Sequence, residues 1–452
     1  MKRVVAGVAS IVVAMVLTGA ATAPPVLTGT PPSAPANATP APPVPEDPTD
    51  SVRASEYWLD QYGVREAWNT TRGAGQKIAI IDTGIGRGPV EFNGAIAGGT
   101  DVSGVGSSDG RTPVGAVDAN HGSWVASLAA SRGTGNGRGM IGVAPEAELL
   151  SISVGFGAST TKPFTEQIAE AMRWAVDNGA TVINLSLTTN TLDWDRSWDD
   201  AFEYAFDNDV VVVVAAGNRG SGTDRVGAPA TIPGVLAVGG VDPNGTASSS
   251  ASTQGITIGL SAPSERLRGV SADGTLVQWN GTSGAAPIVA GIAALVRAAH
   301  PDLDADNVLN RLISTAKPAA GATTVPDKLY GYGLVNAAAA ISARVDTVSE
   351  NPLGSLSEWI RLYRRADAEP APTPTATAVE IPPLPPVTSA PEAGSPLLPS
   401  RDSVLYGSLP LGAGTLAAIM IALGVTAAAR RIRQARISRE PSRTTNEESL
   451  TS

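Results

Sequence analysis

The sequence predicts an α/β fold: a doubly wound, mainly parallel sheet with helices on both faces, followed by one C-terminal transmembrane helix. Three observations carry that expectation. Short apolar runs alternate with amphipathic stretches through the middle of the chain, most of the runs lack a polar face, and an uncharged run of 21 residues stands near the C-terminus. Strands covered on both sides in a parallel sheet read as continuous apolar runs. Strand, helix, strand at this spacing implies right-handed crossovers.

Residues 77–81, 148–154, 181–187, 210–216 and 235–241 read as the strands. Between the second and third, Ile168, Ala171, Met172, Ala175 and Val176 fall at i, i+3, i+4, i+7 and i+8, with Thr165 as N-cap and Gly179 as stop. Ala201, Phe202, Ala205 and Phe206 repeat the pattern one unit later. Trp124, Val125, Leu128 and Ala129 share one helical face, which places His121 in that helix's first turn. Residues 284–296 are uncharged but too short to span a bilayer, so they read as a core helix.

The two ends differ from the middle. Met1-Lys2-Arg3, an uncharged run from 4 to 20 and Ala21-Thr22-Ala23 describe a signal peptide over 1–23, cleaved after Ala23; an uncleaved anchor helix is the other reading. Residues 24–54 form a Pro-rich extension with too little apolar surface to order itself. One domain without internal repeats is expected over 55–345, then a Pro-rich, semi-rigid stalk over 346–408. Residues 409–429 cover about 30 Å as a helix, enough for a bilayer core. A buried helix is the alternative, but Arg430, Arg431, Arg433, Arg436 and Arg439 follow at once. Positive residues stay inside, so 430–452 is expected as a cytoplasmic tail and the domain as extracellular, on a single-pass cell-membrane protein.

Composition narrows the partners. The chain has no Cys, which excludes disulfides and thiolate metal sites, so an exported domain must rest on its core alone. Without the two basic residues of the signal and the six arginines and three acids after Ala429, 24 Lys and Arg face 39 Asp and Glu. A surface near −15 repels phosphate backbones, so no nucleic-acid partner is expected.

Three segments carry chemistry. Asp82 closes the apolar run 78–81, at the carboxyl end of a strand where ligands sit in such sheets. A helix-capping or turn aspartate is its plainer reading. His121 opens a helix, and its one rival, His300, sits before Pro301 at the far end of another helix, where it suits the dipole. Ser283 lies in Gly281-Thr282-Ser283-Gly284-Ala285-Ala286-Pro287 at the amino end of the apolar core helix, whose N–H groups point at the serine's reaction site; an N-cap is the plainer role. Asn218 ends the run 210–217, where its amide is placed to donate to an oxyanion. Asp, His, Ser is one of the chain orders that build an orienting acid, a general base and a nucleophile on unrelated folds.

Asp82-Thr-Gly, His121-Gly-Ser-x-Val-Ala, Ala215-Ala-Gly-Asn218 and Gly281-Thr-Ser283-x-Ala-x-Pro resemble the four signature segments of subtilisin-like serine peptidases. The likeness covers roughly 77–340 and includes Ser186-Leu187 and the closing stretch Gly331-Tyr-Gly-Leu-Val-Asn-Ala337. It implies a subtilisin-like sheet and a serine endopeptidase in which Ser283 attacks a peptide carbonyl. His121 would move the proton, Asp82 would orient His121, and Asn218 with the Ser283 N–H would hold the oxyanion. By the same likeness Ser186, Leu187, Ala215, Ala216 and Gly217 border the substrate groove. No catalytic cofactor is implied. Structural calcium is common in the family, and no acidic cluster has ligand spacing that assigns it.

The layout of signal, Pro-rich extension, catalytic domain, stalk, span and basic tail resembles that of mycosins, membrane-anchored subtilases of type VII secretion systems. That resemblance implies secreted protein or peptide substrates, a type VII membrane complex as partner, and lipid contact through one span. A general cell-surface subtilase shares the layout, and a non-catalytic scaffold on this fold is a third reading. A serine esterase is disfavoured because no Gly-x-Ser-x-Gly elbow follows the strand pattern. Four departures stand out: Ser123 and Ser127 in the histidine segment, Gly284 where the family often has Met, and Thr188 where Gly is common. Mycosins commonly carry disulfides, which this chain cannot form, and the roughly 30 residues before the domain are too few for the family's folded prodomain.

Overall fold

Seven parallel strands form the central sheet: β1 (Lys77–Asp82), β2 (Ile96–Asp101), β3 (Glu148–Ser153), β4 (Val182–Leu185), β5 (Val211–Ala215), β6 (Leu236–Val241) and β7 (Ile258–Pro263), in the order β2-β3-β1-β4-β5-β6-β7. The computed structural model describes residues 46–115, 118–156, 160–364, 387–389 and 409–437. The expected signal peptide, the extension up to residue 45, most of the stalk after 364 and the tail beyond 437 lie outside them.

Apolar runs become strands here because both faces of the sheet are covered. Ile78 and Ile80 of β1 point into one core with α4 (His121–Ala130) and α7 (Thr282–Ala299), while Ala79 and Ile81 point into the other with α5 (Phe164–Asp177) and α6 (Arg196–Asp207). Val211, Val213 and Ala215 of β5 join the first core; Val212 and Val214 join the second. With side chains alternating between two dry faces, no polar face survives in the sequence. The order of strands reverses between β1 and β4, so the carboxyl ends of those two strands flank the crevice where such sheets bind ligands.

The remaining elements refine the expectation. Helix α5 begins after Pro163 rather than at a Thr165 cap: Thr165 lies inside the first turn, where its carbonyl accepts the Trp198 Nε1–H at 2.8 Å. Gly179 stops the helix with φ +79°. Strand β4 is shorter than the run 181–187, and Ser186 and Leu187 lie beyond its end. Strand β2 had no apolar run to announce it. Its Gly99 lies where a Cβ would come within 2.1 Å of the Asp109 carbonyl oxygen, so close approach of a loop sets the residue. A hairpin of β8 (Leu267–Val270) and β9 (Leu276–Trp279) precedes α7, and β10 (Val387–Ser389) pairs antiparallel with β9. Helices α2 (Tyr57–Gln61), α3 (Val64–Ala67), α8 (Ala305–Ser314) and α9 (Ala337–Ser342) add residues to the first core.

Packed structure continues on both sides of 55–345. Before it, α1 (Ser51–Ser55) is capped by Asp50, and its buried Arg53 pairs with Glu46 at 3.1 Å. After it, α10 (Leu356–Tyr363) buries Leu356, sets Trp359 against Trp194 at 4.4 Å between ring centroids, and is followed by Arg364 in an ion pair with Asp199 at 2.7 Å. Helix α11 (Leu409–Ile437) runs through the expected span and on into the arginines. Among the described residues two helices are long and apolar enough to cross a membrane: Thr282–Ala299, mostly buried in the domain, and Leu411–Arg433, exposed along its length with mean hydropathy 1.9.

Candidate active site

Asp82 ends β1 with no exposed surface. The chain turns at Gly84 (φ +98°), and Thr83 ties that turn to α4: its hydroxyl accepts the Gly122 N–H at 2.8 Å and donates to the Ala119 carbonyl at 2.8 Å. Gly122 is required by proximity, since a Cβ there would lie 2.6 Å from the Gly84 carbonyl oxygen. His121, the first residue of α4, consequently meets the aspartate directly. Its Nδ1 lies 2.8 Å and 3.0 Å from the two carboxylate oxygens of Asp82, both side chains fully buried. A carboxylate oxygen accepts, so Nδ1 is the donor of this contact, and in a neutral imidazole the lone pair then lies on Nε2. Nε2 is buried without a hydrogen-bond partner among the described residues.

Two indoles pack on the same imidazole, Trp124 at 6.1 Å and Trp279 at 5.6 Å between centroids, both edge-on. Three residues before His121, burial pushes the Asp118 carboxyl up despite the attraction of the imidazole.

Ser283 is the second residue of α7, nearly buried. Pro287 explains its surroundings. Proline has no N–H to give the carbonyl four residues earlier, and that carbonyl belongs to Ser283. Ser186, just past β4, donates its hydroxyl to it at 2.8 Å, and Asn184 Nδ2 donates to the Ser186 hydroxyl at 2.9 Å. The Ser283 hydroxyl itself donates to the Ser186 carbonyl at 3.2 Å, and no hydrogen bond joins it to His121.

Asn218 follows β5. Its Oδ1 accepts the Thr282 N–H at 2.8 Å and the Thr282 hydroxyl at 3.1 Å, while that hydroxyl accepts the Gly217 N–H at 3.0 Å. With the oxygen end occupied, Nδ2 is the amide's donor end, beside the first turn of α7.

The structure therefore bonds Asp82 to His121, Asn218 and Gly217 to Thr282, and Ser186 to Ser283, the last two groups adjoining along the chain at the start of α7. It treats the expected groove residues differently. Ser186 is buried; Ala215 points into one core and Leu187 and Ala216 into the other, with the Ala216 N–H donating to the Val238 carbonyl at 3.0 Å. His300 lies outside the site, its Nε2 against the Ile341 carbonyl at 2.7 Å.

The departures have local reasons. The Ser123 hydroxyl accepts the Gly86 N–H at 2.9 Å, and the Ser127 hydroxyl accepts the Val270 N–H at 3.0 Å. The Thr188 hydroxyl donates to the Thr189 carbonyl at 3.1 Å. A Cβ on Gly284 would meet Leu267 Cδ1 at 2.2 Å. Sequence reasoning passed over Thr83, Asn184, Thr282, Trp124 and Trp279. The first three touch or sit within the motifs as ordinary polar residues, and nothing in the spacing marked the indoles. Among the described residues no group of three or more His, Asp or Glu is placed to hold a metal ion.

The fold and this arrangement are those of a serine endopeptidase, and the subtilase family model matches residues 73–333, so the chain belongs to the subtilase family. Subtilisin DY of Bacillus licheniformis is 36% identical over 273 residues, 60% of this chain and 92% of that protein. Mycosin-4 of Mycobacterium tuberculosis is 35% identical over 322 residues, 62% of this chain and 67% of that protein. Among solved structures, the MycP3 protease from the type VII (ESX-3) secretion system superposes with a TM-score of 0.54 at 32% identity, covering 66% of this chain and 91% of that one.

Proposed function

We propose that this chain is a membrane-tethered serine endopeptidase that cleaves secreted proteins or peptides through Ser283, His121, Asp82 and Asn218 and needs no cofactor. The observation that carries the reading is the buried bond from His121 Nδ1 to both oxygens of Asp82. It fixes the tautomer in which Nε2 is a base and stabilises the imidazolium that forms. The reaction begins as the Ser283 hydroxyl turns from the Ser186 carbonyl and passes its proton to Nε2, while the oxygen attacks the peptide carbonyl. Asn218 Nδ2 and the N–H of Ser283, in the first turn of α7 where no helical acceptor exists, receive the oxyanion. His121 then returns the proton to the leaving amine.

The exposed apolar helix Leu411–Arg433, ahead of further arginine, supports a single span with the domain outside. The likeness to Mycosin-4 and to MycP3 supports a place beside a type VII secretion complex. The test is a fluorophosphonate probe applied to membranes carrying the full-length protein or Ser283→Ala. Labelling of the first and not the second is expected; equal labelling of both rejects Ser283 as nucleophile. Mapping new N-termini among secreted proteins, with and without S283A, tests the substrate class, and no change in that set rejects it.

A further inference from the structure

His121 is fastened at one end only. Asp82 holds Nδ1, Nε2 has no hydrogen-bond partner among the described residues, and two indoles pack on the ring. Trp124 stands three residues along α4 and donates its Nε1–H to the Ser271 hydroxyl at 2.9 Å. Trp279 ends β9 and donates its Nε1–H to the Arg268 carbonyl at 3.1 Å. Both indoles are fully buried and pack on one another at 5.8 Å between centroids. Swinging either ring away would strand a buried N–H, so each ring is fixed by its polar edge.

Trp279 differs from Trp124 in what it connects. It lies four residues before Ser283, on the chain that enters α7, and meets His121 from across the site. Two glycines make room for it. A Cβ on Gly284 would stand 3.3 Å from Trp279 Cη2, and a Cβ on Gly269 would stand 2.9 Å from Trp279 Nε1. Gly284 directly follows Ser283, and a side chain there would meet Leu267 first and the ring only after it.

We propose that Trp279 is a positioning residue for His121: its ring packs on the imidazole that Asp82 anchors and holds it in register with the chain that carries Ser283. The proposal rests on His121 being the base of the reaction. An imidazole free to pivot at Nε2 spends less time in line with the Ser283 hydroxyl, and that loss falls on turnover rather than on substrate binding.

The experiment uses the full-length protein with Trp279→Phe, Trp279→Leu and Gly284→Ala, reading kcat and KM on a peptide substrate, the pH dependence of kcat/KM, and thermal melting. Trp279→Leu is expected to lower kcat by about tenfold with KM unchanged. The acid limb of its pH profile should move, because the base's surroundings have changed. Trp279→Phe should recover much of the loss, and G284A, whose Cβ meets Leu267 and Leu128 before the ring, measures how far general crowding at the start of α7 lowers kcat. Wild-type kcat and an unmoved acid limb in W279L, with a lower melting temperature alone, would show a core residue and overturn the proposal.

A second measurement stands if the variants fail to fold. Protonated imidazole quenches a neighbouring indole, so wild-type tryptophan emission should fall with pH along the acid limb, and His121→Gln should abolish that step. A pH profile of emission identical in wild type and H121Q overturns the contact itself. Failure of the nucleophile assignment would appear separately, as probe labelling that survives S283A.

Discussion

Thr282 does more for the site than its place beside the nucleophile suggests. Through its N–H and its hydroxyl it fixes the oxygen end of Asn218, and its hydroxyl also accepts the Gly217 N–H, so a single residue orients the amide. Thr282→Val keeps the volume, keeps the backbone donor and removes the hydroxyl. We expect kcat to fall about tenfold with little change in KM, because an orienting bond to a transition-state donor is lost. Asn218→Ala should cost about 10²–10³ in kcat, the range that loss of such a donor costs in subtilisin itself. Steady-state kinetics on both variants checks the order; equal and small losses would remove Asn218 from the oxyanion site.

At the same scale, Glu56 is a charge in the wrong place. Burial pushes its carboxyl well above the ordinary 4.5, against one hydrogen bond from the Ile141 N–H to Oε1 at 2.9 Å and the attraction of Arg53. The folded state therefore binds this proton more tightly than the unfolded chain. Stability from that proton is complete below pH 4.5. It is lost as pH rises toward the folded value, by about 1.4 kcal/mol per pH unit. Glu56→Gln keeps an acceptor for Ile141 and carries no charge, so it should be more stable than wild type at neutral pH and level with it near pH 4. Denaturant titrations across that range decide it; a gap that does not widen with pH contradicts the assignment.

At the scale of elements, the junction of β1 and α4 is the most constrained. Gly122 sits against the Gly84 carbonyl, so Gly122→Ala must push the helix start away from the strand end. Overpacking of this kind costs about 1–3 kcal/mol. The Asp82 to His121 bond lies at the same junction, so we expect lower thermal stability together with slower probe labelling. Normal labelling with lowered stability would mean the helix moves without the imidazole. The elements legible in sequence were those with one physical signature: β1, β5 and β6 as apolar runs, β3 and β4 as mainly apolar runs interrupted by Ser151, Ser153 and Asn184, α5 and α6 as amphipathic repeats. Strand β2 escaped because close packing of a loop demanded Gly99, and α1 because an ion pair leaves no periodic trace. Helix α10, by contrast, carries a regular repeat, Leu356, Trp359, Ile360 and Tyr363, inside a stretch read as stalk. In the site, motifs revealed the residues whose identity the chemistry dictates. Trp279 stayed hidden because an indole carries no catalytic signature, and the motifs did not show that the side chains of Leu187 and Ala216 point into the core.

At the scale of the whole molecule, the exposed helix α11 contributes nothing to the packing of the domain, since residues 411–433 are exposed throughout. A chain ending at residue 408 should keep wild-type kcat/KM and move from the membrane pellet to the supernatant after alkaline washing. Full-length protein appearing in the supernatant would contradict a spanning role.

Helix α7 is buried on every side from Thr282 to Val296 and carries Ser283 in its first turn. A peptidase is surrounded by copies able to digest it, and digestion needs a segment to open and extend. Here the segment that anchors the core is also the one that holds the nucleophile. A molecule that loosens enough to expose its centre becomes prey and ceases to be a predator in the same event. Self-destruction in a population then has to be carried out by its intact members, and it slows as they are diluted.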